Sequence, residues 1–353
     1  MNPNKTIKFL QDLIRIPSFS KLEDKTAHRI ERWFIEHQIP FNRSHNNVWA
    51  TNKYFDANKP NLLLNSHHDT VKPNQGYTRD PYEPKIENGK LYGLGSNDAG
   101  GALVSLISTF THFYDHKNLN HNVIIAASAE EEISGQNSLK GLLKYLPKID
   151  VALVGEPTLL KLAVAERGCL VVHIKIHGTP SHAAHPNEDN PIYKIPAFLD
   201  LARNITFNKT SSLLGGVKIT PTIVKAGEKV HNVVPALVDF VLDVRINEYY
   251  TNEEVFEQIK EIFSEYEVTT KGFDLRSSSI PLNHPLVRAG TQLGTETYGS
   301  PTLSDMAALS CPSLKLGPGD STRSHSADEF IYIDEIKEAM IFYKDLLTQF
   351  LKS

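Results

Sequence analysis

Short apolar runs alternate with amphipathic segments along the first part of the chain. Ile7, Leu10, Leu13 and Ile14 recur at helical spacing, and a second helix is predicted over residues 25–37. Buried strands are predicted where the runs are short and continuously apolar, at residues 61–65, 123–127 and 151–154.

A helix is predicted over residues 99–113, between the first two of these strands. The resulting β-α-β rhythm predicts an α/β fold with a mainly parallel sheet. In such sheets, ligands bind outside the carboxyl ends of the strands. The residues that follow each strand are therefore the first candidates for a functional site.

The pattern changes after Arg167, where residues 171–176 alternate as a strand with one solvated face does. Two further strands and two helices are predicted in this part, at residues 217–224 and 237–246 and at residues 191–204 and 253–266. The earlier pattern resumes at about His284. We predict a catalytic domain formed by residues 1–167 and 280–353, interrupted by a smaller α+β lid or dimerisation domain of residues 168–279.

Composition narrows the class of protein. A chain of 353 residues is typical of about two domains, and a net charge of -4 argues against a broad nucleic-acid-binding surface. Neither a signal peptide nor an apolar run of the roughly 20 residues that a membrane span needs is found, which favours a soluble cytoplasmic protein. Cys169 and Cys311 lie far apart and are interpreted as reduced core residues.

Acidic residues and histidines follow the predicted strands. His67 and Asp69 form a His-x-Asp triplet, in which the histidine can bind a metal ion while the acid holds its tautomer. The other candidates also lie at strand ends or in glycine-rich turns, namely Asp98, Glu130, Glu131, Glu132, Glu156 and His325.

Each candidate alone has a structural alternative. Asp98 precedes a predicted helix and could cap it, adjacent acids usually form a solvated turn, and His68 is a rival ligand to His67. Together the candidates supply two histidines and several carboxylates, a donor set that suits zinc or a similar divalent ion. Two ions about 3.5–4 Å apart and bridged by a carboxylate would use such ligands.

The order of these motifs resembles that of the co-catalytic di-zinc deacylases and peptidases, which include acetylornithine deacetylase, succinyl-diaminopimelate desuccinylase, aminoacylase and glutamate carboxypeptidases. The resemblance covers nearly the whole chain. Five motifs carry it: His67-x-Asp69, Gly95 through Asp98 to Gly101, Glu131-Glu132, Gly155-Glu156-Pro157-Thr158, and His325 before Glu329. The chain departs from the family at Glu130, where an aspartate is common, and at His68, where an uncharged residue is usual.

The resemblance implies two zinc ions in each subunit, with cobalt or manganese as substitutes. His67 and Glu156 would bind one ion, and Glu132 and His325 would bind the other. Asp98 would bridge the two ions.

The resemblance also implies roles in the reaction. Glu131 would be the general base and acid, and Asp69 would orient His67. His182, from the inserted domain, would reach the reacting carbonyl, from the other subunit in dimeric relatives, and Asn232 would lie near the substrate. A homodimer formed through the inserted domain is therefore expected, with a small N-acyl amino acid as substrate and no nucleic acid or membrane partner.

The branch resembled most is acetylornithine deacetylase, on residues 65–73 and on Leu316-Gly317-Pro318-Gly319. It implies hydrolysis of N-acetyl- or N-succinyl-ornithine to ornithine in arginine biosynthesis. Desuccinylation of succinyl-diaminopimelate and dipeptide cleavage stay open. Arg245 and Arg323 are candidates for binding a substrate carboxylate, although Arg245 could instead form a surface pair on its strand. A non-catalytic metal-bearing module is the alternative of another class, and Glu131 argues against it because a structural site needs no base.

Overall fold

A computed structural model describes residues 1–227 and 230–352. Its α-helices span Pro3–Ile14 (α1), Asp24–Glu36 (α2), Gly101–Phe113 (α3), Leu139–Leu142 (α4), Ile195–Asn204 (α5), Asn252–Ile262 (α6), Pro285–Gln292 (α7) and Ile333–Lys352 (α8). Its strands are Asn42–Ser44 (β1), Asn47–Thr51 (β2), Asn61–His67 (β3), Lys85–Glu87 (β4), Lys90–Tyr92 (β5), Asn122–Ser128 (β6), Val151–Val154 (β7), Leu162–Glu166 (β8), Gly168–His177 (β9), Ser181–His182 (β10), Lys218–Ala226 (β11), Val233–Val234 (β12), Leu237–Ile246 (β13), Glu267–Thr270 (β14), Ser278–Ser279 (β15), Thr297–Ser300 (β16), Ser313–Lys315 (β17) and Phe330–Tyr332 (β18).

The chain divides into two compact units. The first consists of Met1–Val164, Ser279–Tyr298 and Ser304–Ser353, and the second of Ala165–Ser278 with Gly299–Leu303. An α+β segment thus interrupts an α/β unit in sequence. The short segment Gly299–Leu303, which the sequence analysis left with the C-terminal part, groups with the inserted unit.

The sheet of the first unit has a parallel centre. Its strands lie in the order β1-β2-β6-β3-β7-β17-β8. The pairs β6/β3, β3/β7 and β7/β17 are parallel, while the flanking pairs are antiparallel. The carboxyl ends of β3, β6, β7 and β17 therefore meet at one edge of the sheet.

Continuous apolar sequence forms the centre of this sheet. Every residue of β3, β6 and β7 is buried, so both faces of the sheet are covered. Helix α3 packs against β3 and β6 and also contacts α1 and α8. It begins at Gly101 and not at Ala99 as predicted, because Asp98 and Ala99 have non-helical backbone angles.

The second unit contains a four-stranded antiparallel sheet in the order β11-β13-β9-β14. Burial alternates along β9 and β13, as predicted for strands with one solvated face. The buried face packs on α5 and α6 around Phe198, Phe240 and Phe263. Helix α6 ends at Ile262, four residues before the predicted end, and β14 follows closely.

Two smaller expectations can be compared with the described residues. None of the helices in the described part of the chain is long and apolar enough to cross a bilayer. Cys169 and Cys311 are both free thiols, as predicted, but each is half-buried and not part of the fully buried core.

Candidate metal centre and active site

His67, the last residue of β3, is buried at the carboxyl edge of the sheet. Its Nε2 lies 3.3 Å from Oδ1 of Asp98 and 4.0 Å from Oε1 of Glu156. Its Nδ1 lies 3.0 Å from the backbone carbonyl oxygen of Asp69, which can accept a hydrogen bond from it. This contact leaves Nε2 as the ring nitrogen that faces the acids.

His325 approaches the same acids from the loop after β17. Its Nε2 lies 3.1 Å from Oε2 of Glu132 and 3.6 Å from Oδ2 of Asp98. The two oxygens of Asp98 therefore face different histidines, Oδ1 toward His67 and Oδ2 toward His325. This is the arrangement that a carboxylate shared between two cations would have.

The acids of this cluster are crowded. Burial raises the pKa of Glu131 well above its usual range, and the neighbouring Glu156 charge adds to the shift. Burial raises the pKa of Glu156 to about 8, although the charge of His67 opposes the change. The hydrogen bond to Glu132 raises the pKa of His325 to about 9. The raised pKa values show that the clustered carboxylates repel one another when charged. Bound cations would relieve this repulsion, as protons do.

The donor set fits divalent cations. Ligand atoms of His67, Asp98 and Glu132 all lie within 4.8 Å of one another. With Glu156 and His325 beside them, the set contains two imidazole nitrogens and three carboxylates. Mixed nitrogen and oxygen ligands of this kind suit zinc and similar ions. The residues present can therefore hold the pair of ions that the sequence analysis expects.

The acid run after β6 forms a tight turn whose backbone amides are held by buried carboxylates. Glu130 has a left-handed backbone with φ of 54°. The Asp69 carboxylate accepts hydrogen bonds from the amides of Glu131 at 3.1 Å and Glu132 at 3.2 Å. The side chain of Glu130 turns away, to Asn137. These contacts argue against the solvated-turn alternative, and the side chain of Glu132 contacts His325.

The structure argues against two further alternatives, that Asp98 caps α3 and that His68 is the metal ligand in place of His67. Asp98 does not cap α3, whose N-cap residue is Gly100 with no side-chain cap. His68 makes two contacts of its own, from Nδ1 to the Thr26 hydroxyl and from Nε2 to the carbonyl of Asn46, both 2.9 Å. Both ring nitrogens of His68 are therefore occupied by protein partners, so it is not a rival to His67. Burial lowers the pKa of His68 to about 4, which keeps the ring neutral.

The role expected of Asp69 differs in detail. Its carboxylate lies 3.4 Å from Nδ1 of His67, farther than its own backbone carbonyl oxygen at 3.0 Å. The carboxylate is instead engaged with the acid turn and with the hydroxyl of Ser20, at 2.7 Å. Asp69 thus contacts both His67 and the turn that carries Glu131.

Three buried acids near the site were not assigned a role from the sequence. Asp305, in the short helix Asp305–Ala308, accepts a hydrogen bond from Ser128 at 2.6 Å. Glu23 accepts one from the amide of Glu130 at 3.1 Å, and Glu329 contacts the segment that carries Asp98. Glu329 was noted as part of a motif, but the other two follow no predicted strand and carried no local signal.

His182 and Asn232 belong to the second unit, where the structure brings them together. Strands β10 and β12 pair so that His182 is opposite Val233, and the carbonyl of Asn232 accepts a hydrogen bond from the amide of Ala183 at 3.0 Å. Nδ1 of His182 accepts the amide N–H of Ala184 at 3.1 Å. With Nδ1 accepting this bond, Nε2 is the ring nitrogen that can donate a hydrogen bond.

The two arginines predicted to bind substrate have protein partners. Arg245 forms a two-point pair with Asp243 on its own strand, at 2.8 and 3.0 Å, as in the surface-pair alternative. Arg323 pairs in the same way with Glu335, at 2.8 and 3.1 Å, and lies over Phe330. Both guanidinium groups already have a carboxylate partner within the chain, so these contacts do not support the predicted role of either arginine in binding substrate.

Comparison with known families decides the class of the protein. Residues 63–349 match the family model described as Peptidase family M20/M25/M40. The chain belongs to this family. The resemblance proposed from the sequence is thereby confirmed, and M20 membership makes the chain a metal-dependent hydrolase of amide bonds.

Named M20 relatives bear on the substrate. The chain is 25% identical to a succinyl-diaminopimelate desuccinylase from Wolbachia pipientis, across 86% of this chain and 81% of that protein. It is 23% identical to a protein of the same name from Pelagibacter ubique, across 98% of both. The expectation of an acetylornithine substrate is not confirmed, and these names support the desuccinylase alternative better.

Solved M20 structures share the fold. An M20 metallo-carboxypeptidase from Sulfolobus solfataricus gives a TM-score of 0.76 at 19% identity and covers 99% of both chains. A dinuclear metal-binding M20 peptidase from Bacillus subtilis gives 0.76 at 17% identity, over 99% of this chain and 98% of that one. At such identities the likeness establishes the fold alone, and it confirms the predicted α/β class.

Proposed function

We propose that this protein hydrolyses the N-acyl amide of a small diamino acid at a centre that binds two divalent cations. One observation carries the proposal: the two oxygens of Asp98 face His67 and His325 separately. A carboxylate in this position would bridge one ion held with Glu156 and a second held with Glu132. Zinc is the ion that we expect there, with cobalt or manganese as substitutes.

When bound, such ions would polarise the amide carbonyl and lower the pKa of the attacking water. The chain itself would move the proton. Glu131 accepts the proton of the water and passes it to the leaving nitrogen, the acid–base role that a positioned carboxylate can fill. The products are a carboxylate and a free amino group.

His182 would donate a hydrogen bond from Nε2 to the oxygen that becomes negative during the attack. We propose that it acts in a homodimer formed through the inserted unit. Asn232 would accompany it, because the two residues lie on paired strands of one small hairpin.

N-succinyl-diaminopimelate is the first substrate that we propose, because relatives across most of the chain carry the name of its desuccinylase. N-acetyl- or N-succinyl-ornithine is the second. Residues 65–73 and 316–319, which resemble the acetylornithine deacetylase branch, favour it. Both substrates present the same kind of amide to the site and differ in the groups around it.

The test is a parallel hydrolysis assay of N-succinyl-diaminopimelate, N-succinyl-ornithine and N-acetyl-ornithine, with zinc present and with a chelator. We expect chelator-sensitive release of the free amine from at least one of them. The preferred compound identifies the acyl group and the amino acid. Absence of turnover on all three, in protein that binds zinc, would refute the proposed substrate class and direct the assay to dipeptides.

A further inference from the structure

Glu329 is a buried acid, only 2% exposed, that precedes β18 and follows His325 by four residues. Its Oε1 accepts hydrogen bonds from the backbone amides of Asn97 at 2.8 Å and Asp98 at 3.0 Å. Its Oε2 accepts the amide of Gly95 at 3.1 Å. One carboxylate therefore satisfies three backbone donors within four consecutive residues, one of them the amide of Asp98 itself.

The segment also has backbone hydrogen bonds of its own, from the amide of Ser96 to the carbonyl of Gly93 and from the amide of Gly100 to the carbonyl of Gly95, but it leaves helical geometry at Asp98. Asp98 has φ of −116° and ψ of 98°, outside the helical region, although α3 begins only three residues later. Gly95 has a left-handed backbone, and a side chain there would meet Thr70 at 2.6 Å. The backbone of Glu329 adds a further contact, because its carbonyl accepts the amide of Gly93 at 2.9 Å.

We propose that Glu329 is a positioning residue that orients the carboxylate of Asp98 between His67 and His325, and so sets the affinity of the site for its cations. The inference rests on the proposed function. Glu329 would not touch a cation or the substrate; it would act through the backbone that carries Asp98.

A carboxylate suits this position better than its amide analogue does. All three contacts come from N–H donors, and the two oxygens of a carboxylate accept them all. A glutamine would turn an NH₂ group toward at least one of these amides and place two donors face to face. The segment would then shift, and the two oxygens of Asp98 would no longer face both histidines.

Glu335 provides a matched control. It is another acid of the C-terminal segment, and it pairs with Arg323 and accepts the amide of Tyr332. It is not among the residues that contact Gly95, Asn97 or Asp98 in the described chain. E335Q should therefore lower stability without changing the affinity for metal ions.

The experiment is a zinc competition titration of the full chain against a chromophoric chelator, for the wild type, E329Q, E329D and E335Q. We expect E329Q to bind zinc roughly 10- to 100-fold more weakly, the usual effect of losing a partner that orients a ligand. E329D, which keeps the charge but is shorter, should fall between E329Q and the wild type, and it serves as the test if E329Q does not fold. E335Q should match the wild type.

The outcomes separate the inference from the proposed function. Wild-type zinc affinity in folded E329Q, or in folded E329D if E329Q does not fold, would overturn the inference alone and leave Glu329 a purely structural residue. An equal loss of affinity in E335Q would overturn it as well, since the effect would then follow stability. A wild-type protein that binds no zinc, cobalt or manganese would refute the proposed centre itself.

Discussion

The carboxylate of Asp69 accepts a hydrogen bond from the backbone amide of Glu131 at 3.1 Å. The same carboxylate holds the amide of Glu132, while the backbone carbonyl of Asp69 contacts His67. One residue just beyond β3 therefore connects a proposed metal ligand with the turn that carries the proposed base. None of these three contacts involves a reacting atom, so we expect Asp69 to act by positioning His67 and the turn.

Replacing Asp69 with asparagine tests the connection. D69N would present an NH₂ group to one of the two amides, so we expect a stability loss of about 1–3 kcal/mol and a fall in kcat. Urea unfolding and steady-state kinetics measure the two effects. S20A removes only the 2.7 Å contact of the Ser20 hydroxyl with Asp69 and should have a smaller effect on both. Unchanged kcat in D69N would contradict this role.

Glu131 and Glu130 are neighbours with different predicted roles. E131Q should lower kcat by roughly 10²- to 10⁴-fold with metal content retained, because glutamine cannot carry the proton. E130Q should keep activity within a few-fold, since the side chain of Glu130 contacts Asn137. Steady-state kinetics and metal analysis of both variants test the two predicted roles. Full activity in E131Q would show that another residue is the base, as a different register of the acid run would require.

Removing the side chain of Asp98 should weaken binding at both cation positions. Removing that of His325 should weaken binding chiefly at one. We expect D98A to retain close to no metal after dialysis, because its two oxygens face both histidines. H325A should retain one ion on the His67 side. Metal content per chain, measured by elemental analysis, gives the result. Equal stoichiometry in the two variants would argue against a bridging role for Asp98.

A role for His182 across a dimer can be tested by mixing inactive variants. Dimers that combine an E131Q subunit with an H182A subunit would contain one intact site if His182 acts on the partner's centre. Each mixed dimer should then have about half of the wild-type activity, because one site in two is intact. Random mixing of equal amounts makes about half of the dimers mixed, so the whole sample should recover about a quarter. Subunit exchange is confirmed with two affinity tags. Exchange without recovery would mean that His182 acts within its own chain or has no such role.

His284, which lies outside the candidate site, predicts that the stability of the folded protein depends on pH. It is the N-cap of α7, where Nδ1 accepts the amide of Leu286 at 3.2 Å, and burial lowers its pKa. The unfolded chain, with a histidine pKa of about 6.5, then binds more protons than the folded protein. The stability from this group is present above about pH 6.5 and is lost as the pH falls through the lowered folded pKa.

The matched variant is H284N, which keeps an oxygen acceptor at the N-cap but has no titrating group. We expect H284N to lose less stability than the wild type between about pH 7 and about pH 5, because asparagine takes up no proton on unfolding. Urea unfolding at both pH values measures the difference. The same loss in both proteins would show that His284 does not contribute to it.

Much of the catalytic unit could be predicted from local sequence. Strands such as β7 are continuously apolar because both faces are covered, and a chain that alternates such strands with helices forms a parallel sheet. Parallel strands bring their carboxyl ends to one edge, so the polar residues after β3, β6 and β7 were expected to converge. The order of the motifs then indicated the family, which the match over residues 63–349 confirms.

The sequence by itself determined which residues could form the centre, because strand ends and glycine-rich turns mark them locally. Only the tertiary structure decided the partners of each group. It pairs Arg323 with Glu335, places Glu329 beneath the Asp98 segment and Glu23 beneath Glu130, and gives both oxygens of Asp98 a histidine. These contacts join residues up to 234 positions apart in the chain. They depend on burial and on the direction of single side chains, which no local pattern of apolar and polar residues encodes.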